Sequence, residues 1–181
     1  MTRFPALAGL ALLLAAATAV AGEFRVTSPD LDPGGTIARE FVYARSGCTG
    51  ANRSPALQWS HSPQDTQSFA ITVHDPGAPR AGGWWHWIVH GIPARVRSLP
   101  TGASGHDMPA GAVETKTSFS ERGYGGPCPP PGDPPHHYVF TVYALGTHAL
   151  DVPADADPAD VADVIARHAI DSATLTARYG R

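Results

Sequence analysis

The stretch from Ile71 to Pro93, I-T-V-H-D-P-G-A-P-R-A-G-G-W-W-H-W-I-V-H-G-I-P, constrains the fold more than any other part of the chain. An apolar strand runs into an Asp-Pro turn, and a Trp-rich strand carrying a histidine follows. Residues two apart share a face in an extended segment. Phe69, Ile71, Val73 and Asp75 therefore share one apolar face, and His86 shares a face with Trp84, Ile88 and His90. A carboxylate ending an apolar row and an imidazole inside an apolar strand are both unfavourable unless paired or used. Two such groups close in sequence suggest a small polar site on an apolar floor.

A second segment, Gly123 to Leu145, repeats the pattern: a Gly/Pro loop feeds a strong β-run. By parity His136, Tyr138, Phe140 and Val142 share a face, while His137 goes with Val139 and Thr141. If the faces of Asp75, His86 and His136 meet, a pocket holds one carboxylate, two imidazoles and a phenol. The competing explanation is that each polar residue satisfies a neighbouring backbone group.

Candidate strands are Glu40–Tyr43, Ala56–Trp59, Phe69–His74, Trp84–His90 and Tyr138–Leu145, with Thr115–Phe119 as a further one. Pro158 begins a helix with Asp157 as N-cap, its stripe formed by Val161, Val164, Ile165 and His168. A second short helix is expected from Asp171 to Arg178. The class is mainly β: an antiparallel β-sandwich with short C-terminal helices.

Residues 1–21 read as a secretory signal peptide, with Arg3 before an apolar Leu7–Val20 core and Ala19-Val20-Ala21 as a small-x-small cleavage site. The apolar run falls short of the roughly 20 residues of a spanning helix, so no stable membrane insertion is expected after cleavage. No cysteine follows it to carry a lipid. Residues 22–181 then form a single domain, periplasmic or secreted. One of the 13 basic residues lies in the leader, leaving 12 against 16 acidic ones. That balance, with no basic cluster, does not favour nucleic acid or anionic membrane. In an oxidising compartment Cys48 and Cys128 could form a disulfide across about 80 residues; two buried free thiols are the alternative.

These segments resemble the signatures of the phosphatidylethanolamine-binding protein family, in particular its bacterial, Raf-kinase-inhibitor-like branch. Asp75-Pro76-Gly77-Ala78-Pro79 matches its D-P-D-A-P, Trp84 to Trp87 its W-x-H-W, and Gly123 to Tyr138 its G-Y-x-G-P-x-P-P-x-G-x-x-H-R-Y. Cys48 to Trp59 is similar to C-x-G-x-N-x-S-P-x-L-x-W. The chain departs from the family at Gly77, where an Asp is usual, at His137, where an Arg is usual, and at His90-Gly91. The resemblance implies a β-sandwich and a small-ligand pocket built from Asp75, His86, His136 and Tyr138, with Gly126 and Pro127 in the loop beside it. It also implies regulation of partner proteins, mainly in eukaryotic relatives.

The expected ligand is a small anion such as phosphate or a phosphorylated head group, held by imidazole, phenol and backbone donors. Binding should weaken as pH rises through the histidine range, near 6.5 for an unperturbed group. A His/Asp pair could instead perform acid–base catalysis, but no G-x-S-x-G elbow occurs. His74, His86, His90, His136, His137 and Asp75 could ligate a metal, but no H-E-x-x-H or C-x-x-C spacing occurs. The reading calls for no cofactor, no designed metal site and no catalytic residue. Trp59, Trp84, Trp85 and Trp87 read as core or sheet-covering residues, and His61, His106, His148 and His168 as solvated.

Overall fold

A computed structural model describes residues 22–153 and 155–181. The expected leader lies outside the described residues. Eight strands and one α-helix follow in order: β1 (Arg25–Thr27), β2 (Leu57–Ser60), β3 (Ser68–Asp75), β4 (Trp84–Pro93), β5 (Ser98–Leu99), β6 (Val113–Glu114), β7 (His136–Leu145), α1 (Pro158–His168) and β8 (Ala169–Tyr179). They build two antiparallel sheets, β1-β2-β5 and β6-β4-β3-β7-β8.

Alternation decides the two faces of the larger sheet. Phe69, Ile71 and Val73 of β3 and Phe140 and Val142 of β7 pack with Val26, Leu57, Trp59 and Leu99 of the smaller sheet, forming the sandwich core. Ala70 and Ile88 point the other way and pack with Val161 and Ile165 of α1. Asp157 caps α1 as expected, its carboxylate accepting from the Ala159 amide at 2.9 Å. His168 falls outside the buried stripe and is exposed.

Three expected elements are corrected. Glu40–Tyr43 is not a strand: Arg39–Phe41 forms a 3-10 turn closed by local amide bonds to Ala38 and Arg39. Phe41, Val42 and Tyr43 are all buried in succession, which a one-faced strand does not allow. Thr115–Phe119 lies beyond the short β6 and turns back at Thr117, whose amide bonds Glu121. Asp171–Arg178 is not a second helix but most of β8, paired with β7 from His136↔Tyr179 onward. Its buried residues Ala173, Leu175 and Ala177 alternate with Thr174 and Thr176, the period of a strand. The C-terminal region therefore holds one helix.

Two bulges interrupt β4. His74 opposes Trp85 and Val73 opposes Trp87, so His86 is the extra residue between them. Further on, Phe69 opposes Ile92 and Ile71 opposes Val89, with Gly91 at φ +69° between them. Glycine has no Cβ to oppose that conformation.

Candidate functional site

The bulge at His86 decides what the β4 end presents. Trp87 packs in the sandwich core, edge-on to Tyr124 at 5.8 Å. His86 points to the same side and meets the Tyr138 ring edge-on at 5.1 Å. A regular strand would put them on opposite faces. The expected grouping of His86 with Ile88 and His90 therefore holds only as far as Trp84. Ile88 lies on the helix side of the sheet.

Asp75, His86, His136 and Tyr138 do converge. All four line one cavity of about 460 Å³, together with Trp84, Phe119 and Tyr43. Arg80 in the β3–β4 turn and the Cys128-Pro129-Pro130 segment form part of its wall. All four are at most 8% exposed, so each polar atom needs a partner or a use. Asp75 is fully engaged: Oδ2 accepts from His136 Nδ1 at 2.7 Å and Oδ1 from the Gly77 amide at 2.9 Å. The other nitrogen of His136 lies 3.5 Å from the half-exposed Asp133 carboxylate. The imidazole thus sits between two carboxylates.

His86 Nδ1 lies 2.7 Å from the Gly125 carbonyl. Burial outweighs this bond and the nearby Asp75 charge and pulls the His86 pKa down to about 4. The expected weakening of binding through the histidine range therefore does not come from His86, which stays neutral near pH 7. Burial, reinforced by Asp75, pushes the Tyr138 hydroxyl well above its ordinary range, so it keeps its proton. That hydroxyl and the Trp84 indole N–H are buried with no partner among the described residues. Arg80 lies over the Trp84 ring, 5.5 Å from its centroid.

Gly126 and Pro127 do not line the cavity; they stand behind its wall. A Cβ at Gly126 would come within 2.1 Å of the Phe41 carbonyl oxygen, so the position is filled by backbone approach. Pro127 accepts from the Tyr43 amide at 3.1 Å. Asn52 holds this loop from outside: Oδ1 accepts from the Gly126 amide at 2.8 Å and Nδ2 donates to the Tyr124 carbonyl at 3.0 Å. Cys48 and Cys128 are joined, with Cα atoms 5.9 Å apart, which ties the segment carrying Tyr43 and Ser46 to the Pro129-Pro130 wall.

Sequence reasoning set Trp84 aside as a packing residue and missed Arg80. The signal for Trp84 was its shared parity with His86; nothing in the sequence singles out Arg80 from the other arginines. His74 stacks on Trp85 at 4.0 Å, away from the cavity, and His137 is exposed, both as parity implied.

The family model described as phosphatidylethanolamine-binding protein matches residues 27–180. The UPF0098 protein YbcL of Escherichia coli K12 is 43% identical over 165 residues, spanning 90% of each chain. The crystal structure of YbcL, described as a member of the mammalian PEBP family, matches at TM-score 0.86 over 88% of this chain and 99% of that one. A phosphatidylethanolamine-binding protein homologue from Chlamydia trachomatis matches at TM-score 0.73 and 30% identity, over 87% of this chain and 97% of its own. The putative lipoprotein LppC of Mycobacterium tuberculosis is 38% identical over 155 residues, 85% of this chain and 71% of its own.

Proposed function

The chain belongs to the phosphatidylethanolamine-binding protein family, and from that premise we propose that it is an exported small-ligand-binding protein whose cavity takes a phosphate or phosphorylated head group. The observation that carries this reading is the Tyr138 hydroxyl, buried at the cavity without a partner among the described residues. An unpaired buried donor is unfavourable, and an anionic acceptor removes that penalty with a charge-assisted bond. Trp84 Nε1 is a second such donor, and Arg80 supplies positive charge at the wall. Asp75 places a negative charge beside the cavity, so the anion is held against it by the donors of Tyr138 and Trp84 and the charge of Arg80. The volume of about 460 Å³ lies within the usual range for small-molecule sites, about 300–1,000 Å³. It leaves room for more than a bare oxyanion.

Export is supported by the leader-like sequence of residues 1–21 and by the disulfide, which suits an oxidising compartment. The mature chain, residues 22–181, is then one domain. The lipoprotein description of the mycobacterial relative fits the same side of the membrane.

Calorimetric titration of phosphoethanolamine and inorganic phosphate tests the site. Wild type should bind, and Tyr138→Phe should bind at least about tenfold more weakly, the effect of one hydrogen bond to a charged group. Equal affinity in the two proteins, or none in either, refutes the reading. N-terminal sequencing of the exported protein should begin at Gly22; an intact Met1 on a membrane-bound form refutes the cleavage.

A further inference from the structure

Part of the cavity wall is a seam between two loops. Tyr43 and Ser46 line it from one side, and Cys128, Pro129 and Pro130 from the other. We propose that Arg181 is a positioning residue for this cavity: its guanidinium and the Cys48–Cys128 disulfide form a redundant lock on the seam, so the pocket stays assembled when the disulfide is reduced. The ligand readout of this inference rests on the anion reading above.

The Ser46 side needs support from outside itself. Ser46 sits at φ +57° and Gly47 at φ +80°, both in the left-handed region. A serine there is strained and persists only where its surroundings hold it. Its local turn is closed by the Cys48 amide, which donates to the Arg45 carbonyl at 2.9 Å. The Arg45–Glu121 ion pair ties this loop to the one carrying Phe119, not to the Pro129-Pro130 side.

The disulfide crosses the seam covalently. The Tyr43 amide crosses it too, donating to the Pro127 carbonyl at 3.1 Å. Arg181 bridges both sides with one planar group. Its Nε donates to the Pro129 carbonyl at 2.6 Å and its Nη1 to the Gly47 carbonyl at 2.9 Å. A guanidinium suits that task, because its donors diverge from a rigid fork.

The sheet fixes where the fork stands. Tyr179, at the end of β8, pairs with His136 of β7, and the Gly132 amide donates to the Arg181 carbonyl at 3.0 Å. The disulfide joins loop to loop. Arg181 joins both loops to the strands that carry His136 and Tyr138. A dithiol breaks the S–S bond by supplying two electrons and two protons: two thiols form, and the dithiol closes to its own disulfide. That exchange leaves the Arg181 fork untouched.

The test compares wild type and Arg181→Ala, each oxidised and reduced with dithiothreitol. Phosphoethanolamine affinity is read by calorimetry, and Tyr43 amide exchange is read by NMR without ligand. Reduction alone, or Arg181→Ala alone, should weaken binding by about threefold, the effect of one modest link. Both together should weaken it by at least about thirtyfold, because links that hold one seam couple. Tyr43 exchange should quicken in the same order. Arg181→Lys keeps the charge but cannot fork to two carbonyls, so its reduced form should fall between wild type and Arg181→Ala. If reduced Arg181→Ala does not fold, reduced Arg181→Lys against reduced wild type decides. A combined effect no larger than the product of the single ones overturns the lock. Reduced Arg181→Lys matching reduced wild type also overturns it, by assigning the effect to charge. Failure of oxidised wild type to bind overturns the anion reading alone, and Tyr43 exchange then decides the lock.

Discussion

Halfway along β3 and β7, Val73 opposes Phe140 and Ile71 opposes Val142, all buried in a dry apolar band. At the cavity end the same strands place Asp75 and His136 equally deep, 2.7 Å apart. The two regions share backbone, pairing and burial and differ in what holds them. The apolar band is held by area removed from water, which is non-directional and insensitive to pH. The cavity end is held by a few directional bonds whose strength depends on protonation, and it leaves donors unused. Burial alone therefore does not distinguish core from site; the partner count of each polar atom does.

The hardest test of that contrast is a truncation in the band. Phe140→Ala should cost about 3–5 kcal/mol, read as a lowered denaturation midpoint with an unchanged pH profile. A cost below about 1 kcal/mol would mean the band is not what holds these strands.

The cavity end should answer to acid instead. The folded His86 pKa of about 4 lies below its ordinary 6.5, so the unfolded chain binds the extra proton first. Stability from this group is present above pH 6.5 and is lost as pH falls toward 4, by about 3 kcal/mol for a shift of that size. Buried His90, also shifted down, adds in the same direction. Comparing wild type with His86→Gln from pH 7 to pH 4 isolates the first contribution. Identical slopes would contradict the buried neutral imidazole.

Asp75→Ala should cost about 2 kcal/mol, because His136 Nδ1 loses its acceptor inside the protein, while the exposed Gly77 amide can turn to water. Urea midpoints for Asp75→Ala and Asp75→Asn sharpen the point. The amide keeps an acceptor for one donor and should recover part of the loss; no recovery would assign the effect to packing.

The smallest effect is the most telling. Tyr138→Phe removes a hydroxyl with no hydrogen-bond partner among the described residues, so its midpoint should stay within about 0.5 kcal/mol of wild type. A loss above 1 kcal/mol would show that the hydroxyl is structural and erase the difference between the two regions.

Much of this was legible in the sequence because β3 and β7 near the site are regular. Alternation alone placed Asp75 with Ile71 and Val73, and His136 with Tyr138 and Phe140. β4 was legible only as far as its bulge: an extra residue leaves no mark in a hydrophobic pattern, so His86 was paired with Ile88 and not with Trp87. The Ala and Leu of β8 suit a helix as well as a strand, and the Thr alternation answers to a partner strand some thirty residues earlier. Gly126 looked like a ligand loop, but its role is to let backbone approach Phe41, which only the fold reveals. The state of His86 depends on how completely Phe119 and Tyr138 enclose it, a fact of packing that no local motif encodes.

The Cys48–Cys128 bond joins residues 80 positions apart, and between them lie β2 to β6 with every loop that connects them. A protease cut anywhere in that interval separates the chain without separating the molecule. The fragments remain one covalent body, visible as a single band on a non-reducing gel and two on a reducing one. The cavity wall at Pro129 and Pro130 keeps its tether to the segment bearing Tyr43. A nick in an exposed loop of that interval thus leaves both fragments held at the disulfide.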